Sequence, residues 1–141
     1  MSRVNIQQCQ PEAYNAMFGL EKYLASSTID ADLQEIIRVR ASVLNGCFVC
    51  LGMHSSGAKK LGVSEEKVAA VADWQQSKLF SVKEQAALAM TDSVTHISVN
   101  GLPEHVYQNA AELFNKDEMA QLIMLISVIN AWNRMGVSMA G

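Results

Sequence analysis

The stretch Met119–Trp132 constrains this chain more than any other. It sets Met119, Leu122, Ile123, Met124, Leu125, Ile126, Val128, Ile129 and Trp132 close together with no strand-like alternation and no proline. At about 100° per residue these side chains point to nearly every side of a helix, and a helix apolar nearly all round has to be surrounded. In a chain of 141 residues, the size of one domain, two arrangements achieve that: a place at the centre of the domain, or contact with a second copy of the chain. The expectation is an all-α, single-domain protein, residues 1–141, that forms a homo-oligomer.

The remaining sequence carries helix signals throughout. Pro11 and Pro103, the only prolines, each stand where a helix begins. A first helix is expected from Pro11 to about Ala25, a loop at Ser26-Ser27-Thr28, and a second helix capped by Asp30 or Asp32 and ending near Leu44. That second helix has an apolar stripe of Leu33, Ile36, Ile37, Val43 and Leu44, with Gln34, Arg38 and Ser42 opposite. Glu35 falls at the edge of the polar side, where periodicity makes it a solvated carboxylate. Arg40 falls inside the stripe and needs an anionic partner or a subunit boundary, because a lone buried charge is costly. Ser64 starts a fourth helix reaching about Gln76. Ser81-Val82-Lys83-Glu84 is a complete capping box for a fifth, which Asn100-Gly101 ends. Pro103 opens a sixth to about Phe114, and Asn115 can cap the last.

The composition narrows the function classes. Half the residues are apolar and the formal net charge is −3, as expected of a soluble protein. Lys and Arg are scattered, so no nucleic-acid partner is expected. The apolar run Leu122–Ile129 is interrupted by Ser127 and far shorter than the ~20 residues of a membrane span, and the start of the chain has no signal-peptide pattern. The expectation is a cytoplasmic protein, where thiols are held reduced and a Cys-x-x-Cys is catalytic or metal-binding rather than a structural bridge.

Such a pair is present at Cys47-Phe48-Val49-Cys50, followed by His54. On a helix these three fall within about 60° of one another. His54 is one turn from Cys50, about 6 Å along the axis, but two turns from Cys47, about 10.5 Å. Asn45 and Gly46 read as the start of this third helix, which runs to about Leu61 with Gly62 as its stop. Both sulfurs then lie in the first turns, where the helix dipole and free N–H groups stabilise a thiolate. The third helix sets Leu51, Ala58 and Leu61 on the arc of the sulfurs, and Ser56, Lys59 and Lys60 opposite, so the sulfurs face the interior. The plain alternative is two buried cysteines acting as small hydrophobes. Cys9 reads as an inert free thiol, and His96 and His105 as surface residues.

Haem attachment needs His directly after the second cysteine, where this chain has Leu51. A thioredoxin-like site needs strands. Zinc could take Cys47, Cys50 and His54, with Glu35 or water completing the set.

The run Glu35-x11-Cys47-x2-Cys50-x3-His54 resembles the active-site signature of the AhpD-like alkylhydroperoxidases, within the carboxymuconolactone decarboxylase superfamily. Arg38-Val39-Arg40-Ala41-Ser42-Val43-Leu44-Asn45-Gly46 and Ile129-Asn130-Ala131-Trp132-Asn133-Arg134 are similar too, so the resemblance runs from about Asp32 to the end and covers residues 1–31 less well. It implies an all-α fold with the Cys-x-x-Cys at the N-terminus of a helix, assembled as a trimer or hexamer. It also implies a hydroperoxide substrate, Cys50 as the attacking thiol, Cys47 as the resolving thiol, Glu35 and His54 as a proton relay, and an external dithiol reductant of lipoyl type. No metal, haem or flavin is implied. Some members carry a histidine before the second cysteine, where this chain has Val49. Two other classes remain: the decarboxylase branch, which works without paired thiols, and a redox or metal-binding switch without turnover.

Overall fold

The computed structural model describes residues 2–141; Met1 lies outside the described residues. Its helices are α1 (Ile6–Cys9), α2 (Pro11–Ala25), α3 (Ala31–Asn45), α4 (Phe48–Lys60), α5 (Glu65–Ala70), α6 (Val82–Thr95), α7 (Ile97–Asn100), α8 (Glu104–Ala111) and α9 (Lys116–Met139), with a 3-10 segment, Val71–Gln76, after α5. No strand occurs among the described residues.

The local signals act where the sequence places them. Pro11 starts α2. Ser81 Oγ accepts from the Glu84 N–H while the Glu84 carboxylate accepts from the Ser81 N–H, and Asn115 and Glu118 make the same reciprocal pair at the start of α9. Ser64 caps α5 through the Lys67 N–H. Burial works to raise the Glu84 pKa, but hydrogen bonds from Lys67 and the Ser81 backbone outweigh it, so the carboxyl is held below its ordinary value. The short α1, capped by Asn5, is not anticipated by the periodicity.

Helix α9 packs Leu122, Leu125, Ile126 and Val128 into the core with Leu24, Ile37 and Met90. Each such side chain contributes about 1.5–3 kcal/mol by leaving water. By length and composition α9 alone among the described residues could cross a membrane. Its buried Asn130 and Asn133, both hydrogen-bonded to neighbouring helices, mark it as a core helix instead. It is not enclosed on every side within one chain: Ala120, Met124, Ser127 and Arg134 form an exposed stripe.

The supposed polar face of α3 is buried. Gln34, Arg38 and Ser42 are at most 8% exposed, because α2, the loop after it and α9 cover that side. Gln34 Nε2 donates to the carbonyls of Leu24 and Ile29 and to Ser27 Oγ, and Ser42 Oγ donates to the Arg38 carbonyl. Arg40 finds its anionic partner on α6: its Nε and Nη2 donate to the two oxygens of Asp92 at 2.7 and 3.1 Å. Its Nη1 also takes the carbonyls of Val71 and Ala72. Those carbonyls turn toward arginine rather than along a helix, and Asp73 adopts a non-helical conformation, so the single helix expected from Ser64 to Gln76 breaks into α5 and a 3-10 segment. The fifth helix likewise divides at His96 into α6 and α7.

Candidate active site

The turn between α3 and α4 builds the site. Gly46 adopts φ 68°, the left-handed conformation that closes a helix, and the Cys47 N–H returns to the Ser42 carbonyl at 3.1 Å. Asn45 and Gly46 therefore end α3, although their residue types alone suggest the start of α4. The Asn45 side chain is drawn to α9, donating to Asn130 Oδ1 at 2.9 Å and Asn133 Oδ1 at 3.0 Å. Cys47 itself stands at the N-cap of α4 and makes no side-chain cap bond, because its sulfur is joined to Cys50 in a disulfide, with Cα atoms 5.3 Å apart. Cys9 is free and exposed.

The two sulfurs are not equivalent. Cys47 is 4% exposed, whereas Cys50 is only partly buried. Helix α9 lies directly over the pair: a β-carbon at Gly136 would sit 2.8 Å from Cys47 Sγ and 3.5 Å from Cys50 Sγ. Glycine in a helix costs about 1 kcal/mol relative to alanine, and here the close approach of the backbone to the disulfide requires it. Gly136→Ala is expected to destabilise the oxidised form relative to the reduced one, so that equilibration with a dithiol leaves more of the variant reduced than wild type. An unchanged equilibrium would show that α9 yields freely at this point.

His54 follows one turn after Cys50. Its Nδ1 lies 2.8 Å from Glu35 Oε2, and Glu35 Oε1 accepts from Arg38 Nη1 at 3.1 Å. Both carboxylate oxygens are thus engaged, which corrects the solvated placement that periodicity gives Glu35. The α3–α4 hairpin brings the two residues level, and Gly57 leaves room, since a β-carbon there would meet Glu35 Oε2 at 3.1 Å. Arg38 Nη2 reaches Glu21 Oε2 on α2 at 3.3 Å, and Glu21 Oε1 accepts from Trp132 Nε1 at 2.9 Å. Sequence reasoning did not single out Glu21, Gly57 or Gly136. A glycine within the otherwise apolar pattern of the last helix is the one signal that could have flagged Gly136.

On the outside of the first turns of α4, Phe48, Val49 and Met53 are 83%, 77% and 63% exposed. Val49 points to solvent. Leu61, expected on the inward arc, is exposed as well. His96 and His105 lie at the surface. Among the described residues no group of His, Cys, Asp and Glu is arranged to hold a metal ion. A depression of about 270 Å³ is lined by Asp92, Ser93 and His96 among others, and by none of the cysteine-site residues.

The all-helical fold is AhpD-like, and it carries a Cys47–Cys50 disulfide at a helix N-terminus with the Glu35–His54 pair further along. Residues 11–93 match the carboxymuconolactone decarboxylase family, and the chain belongs to it. The uncharacterized protein YdfG of Bacillus subtilis (strain 168) is 32% identical over 137 residues, covering 97% of this chain and 93% of YdfG. A protein of unknown function from Agrobacterium tumefaciens, proposed to be the antioxidant defence protein AhpD, superposes with a TM-score of 0.95 at 32% identity, over 99% of this chain and 95% of that one. The debrominase Bmp8 is similar at a TM-score of 0.81 and 25% identity, over 92% of this chain and 69% of its own.

Proposed function

We propose that this protein is a thiol-dependent peroxidase that reduces hydroperoxides through Cys50 and regenerates through a Cys47–Cys50 disulfide. The observation that carries this reading is the bonded pair at the start of α4 with the Glu35–His54 pair one turn further on. With Nδ1 committed to Glu35, His54 has Nε2 left to take the proton of the Cys50 thiol. The thiolate attacks the distal oxygen of the hydroperoxide and breaks the O–O bond. Cys50 becomes a sulfenic acid, and the alkoxide leaves as an alcohol with the proton returned from His54. The Cys47 thiol displaces the hydroxyl of the sulfenic acid as water and closes the disulfide. An external dithiol then reduces the bridge by exchange and is itself oxidised to a disulfide. No metal or cofactor enters these steps.

The partial exposure of Cys50 and the burial of Cys47 support this division of roles. The apolar surface of Phe48, Val49 and Met53 suits an organic hydroperoxide and an apolar dithiol such as a dihydrolipoyl group. The reaction belongs in the cytoplasm, where dithiol reductants are maintained. The exposed stripe on α9 is our reason for proposing a homo-oligomer; sedimentation velocity showing only single chains at micromolar concentration would contradict that.

Steady-state assay tests the function. The protein with a dihydrolipoyl compound is expected to consume hydroperoxide over many turnovers. A single stoichiometric oxidation followed by silence, with every dithiol tried, would make the pair a switch rather than an enzyme.

A further inference from the structure

The ion pairs around Glu35 extend beyond the reacting groups and cross to α2. Arg38 is 8% exposed and lies between two carboxylates, Glu35 on its own helix and Glu21 on α2. Glu21 is fixed from its other side by the Trp132 indole N–H, and Trp132 is held by edge contacts with Tyr14 and by Phe18. A structural ion pair needs one carboxylate for one guanidinium. Here the second carboxylate changes the electrostatics of the first. Arg38 alone would offset the charge that Glu35 presents to His54, whereas Glu35, Arg38 and Glu21 together carry one net negative charge. When His54 takes a proton from Cys50, the imidazolium is then matched by a cluster of opposite charge. The arrangement also fixes Glu35: with Arg38 on Oε1, only Oε2 is left to face His54.

We propose that Glu21 is a positioning residue for the first chemical step, acting through Arg38 to hold Glu35 in place and to keep its charge available to His54. This rests on the peroxidase reading of the site. It assigns to α2 a role in catalysis rather than in packing alone.

The test uses the full chain in a Cys47→Ser background, so that the reaction with tert-butyl hydroperoxide stops at the Cys50 sulfenic acid. With Cys9→Ser added, because Cys9 is free and exposed, Cys50 is the one remaining thiol: trapping with a dimedone-type probe gives the rate of sulfenic acid formation, and ultraviolet thiolate absorbance at neutral pH gives the fraction ionised. Glu21→Gln keeps the acceptor for Trp132 and removes the charge. It is expected to slow sulfenic acid formation about tenfold and to lower the thiolate fraction, a smaller loss than the ~100-fold or more expected of Glu35→Gln. Because Glu21 acts through Arg38, Glu21→Gln added to Arg38→Gln should cause little further loss. Trp132→Phe, which releases Glu21 without removing its charge, should slow the step less than Glu21→Gln and serves if the latter does not fold. A wild-type rate and thiolate fraction in Glu21→Gln, alongside a slow Glu35→Gln, would overturn the inference and leave the peroxidase reading standing. Wild-type rates in both would overturn the relay itself and the inference with it.

Discussion

Cys50→Ser is expected to abolish peroxide reduction at its first step, while Cys47→Ser still reacts once and stops at a Cys50 sulfenic acid that a dimedone-type probe traps. The asymmetry has two independent physical grounds. Helical spacing sets His54 one turn from Cys50, whereas Cys47 stands off the helix at its N-cap, so the proposed general base is assigned to Cys50. Burial agrees, since Cys47 is enclosed beneath Gly136 of α9 while Cys50 is partly open to an incoming peroxide. In the proposed cycle Cys47 has one task, to displace the hydroxyl from Cys50, and its place at the N-cap of α4 keeps it within bonding distance of Cys50. If Cys47→Ser is inert to peroxide while Cys50→Ser forms a trappable sulfenic acid on Cys47, the roles are reversed and both arguments fail together.

Glu35→Gln is expected to slow the first step by ~100- to 10,000-fold, the usual range for a lost general acid–base contribution, with the fold preserved. The amide retains the shape and can still accept one hydrogen bond from Arg38. It cannot stabilise a charged imidazolium, and its NH2 would face either Arg38 or the ring nitrogen. Arg38 keeps Glu21 as a counter-ion, so no charge is left buried alone. Single-turnover mixing with hydroperoxide, read alongside thermal unfolding, separates the two effects. A folded variant reacting at the wild-type rate would return Glu35 to a purely structural role beside Arg38.

The starts of α2, α6 and α9 were legible because the chemistry there is local. Pro11 removes one free N–H, the Ser81 box and Asn115 satisfy others within a turn of themselves, and each acts where the sequence places it. What was not legible depends on partners far along the chain. Periodicity turns Gln34, Arg38 and Ser42 toward water because it cannot distinguish a solvated polar face from a buried hydrogen-bonded one. The helix through Val71–Gln76 breaks because Arg40, on another element, claims two of its carbonyls. Asn45 has the composition of an N-cap, yet its side chain serves Asn130 and Asn133. Cys50 and His54 could be placed one turn apart by counting alone, whereas Cys47 stands at the N-cap, off the helix. Glu35 required the family resemblance, since only the hairpin turn at Gly46 carries it to His54. Glu21 required the structure.

One measurement bears most directly on the claim that Cys47 and Cys50 are a peroxide-driven redox pair. The fully reduced protein is mixed with one equivalent of an organic hydroperoxide, then alkylated and digested, and its cysteine peptides are mapped by mass. The expected result is one new bridge, Cys47–Cys50, with Cys9 alkylated and one equivalent of alcohol formed. Three alkylated cysteines with the hydroperoxide intact, or a bridge that includes Cys9, would contradict it.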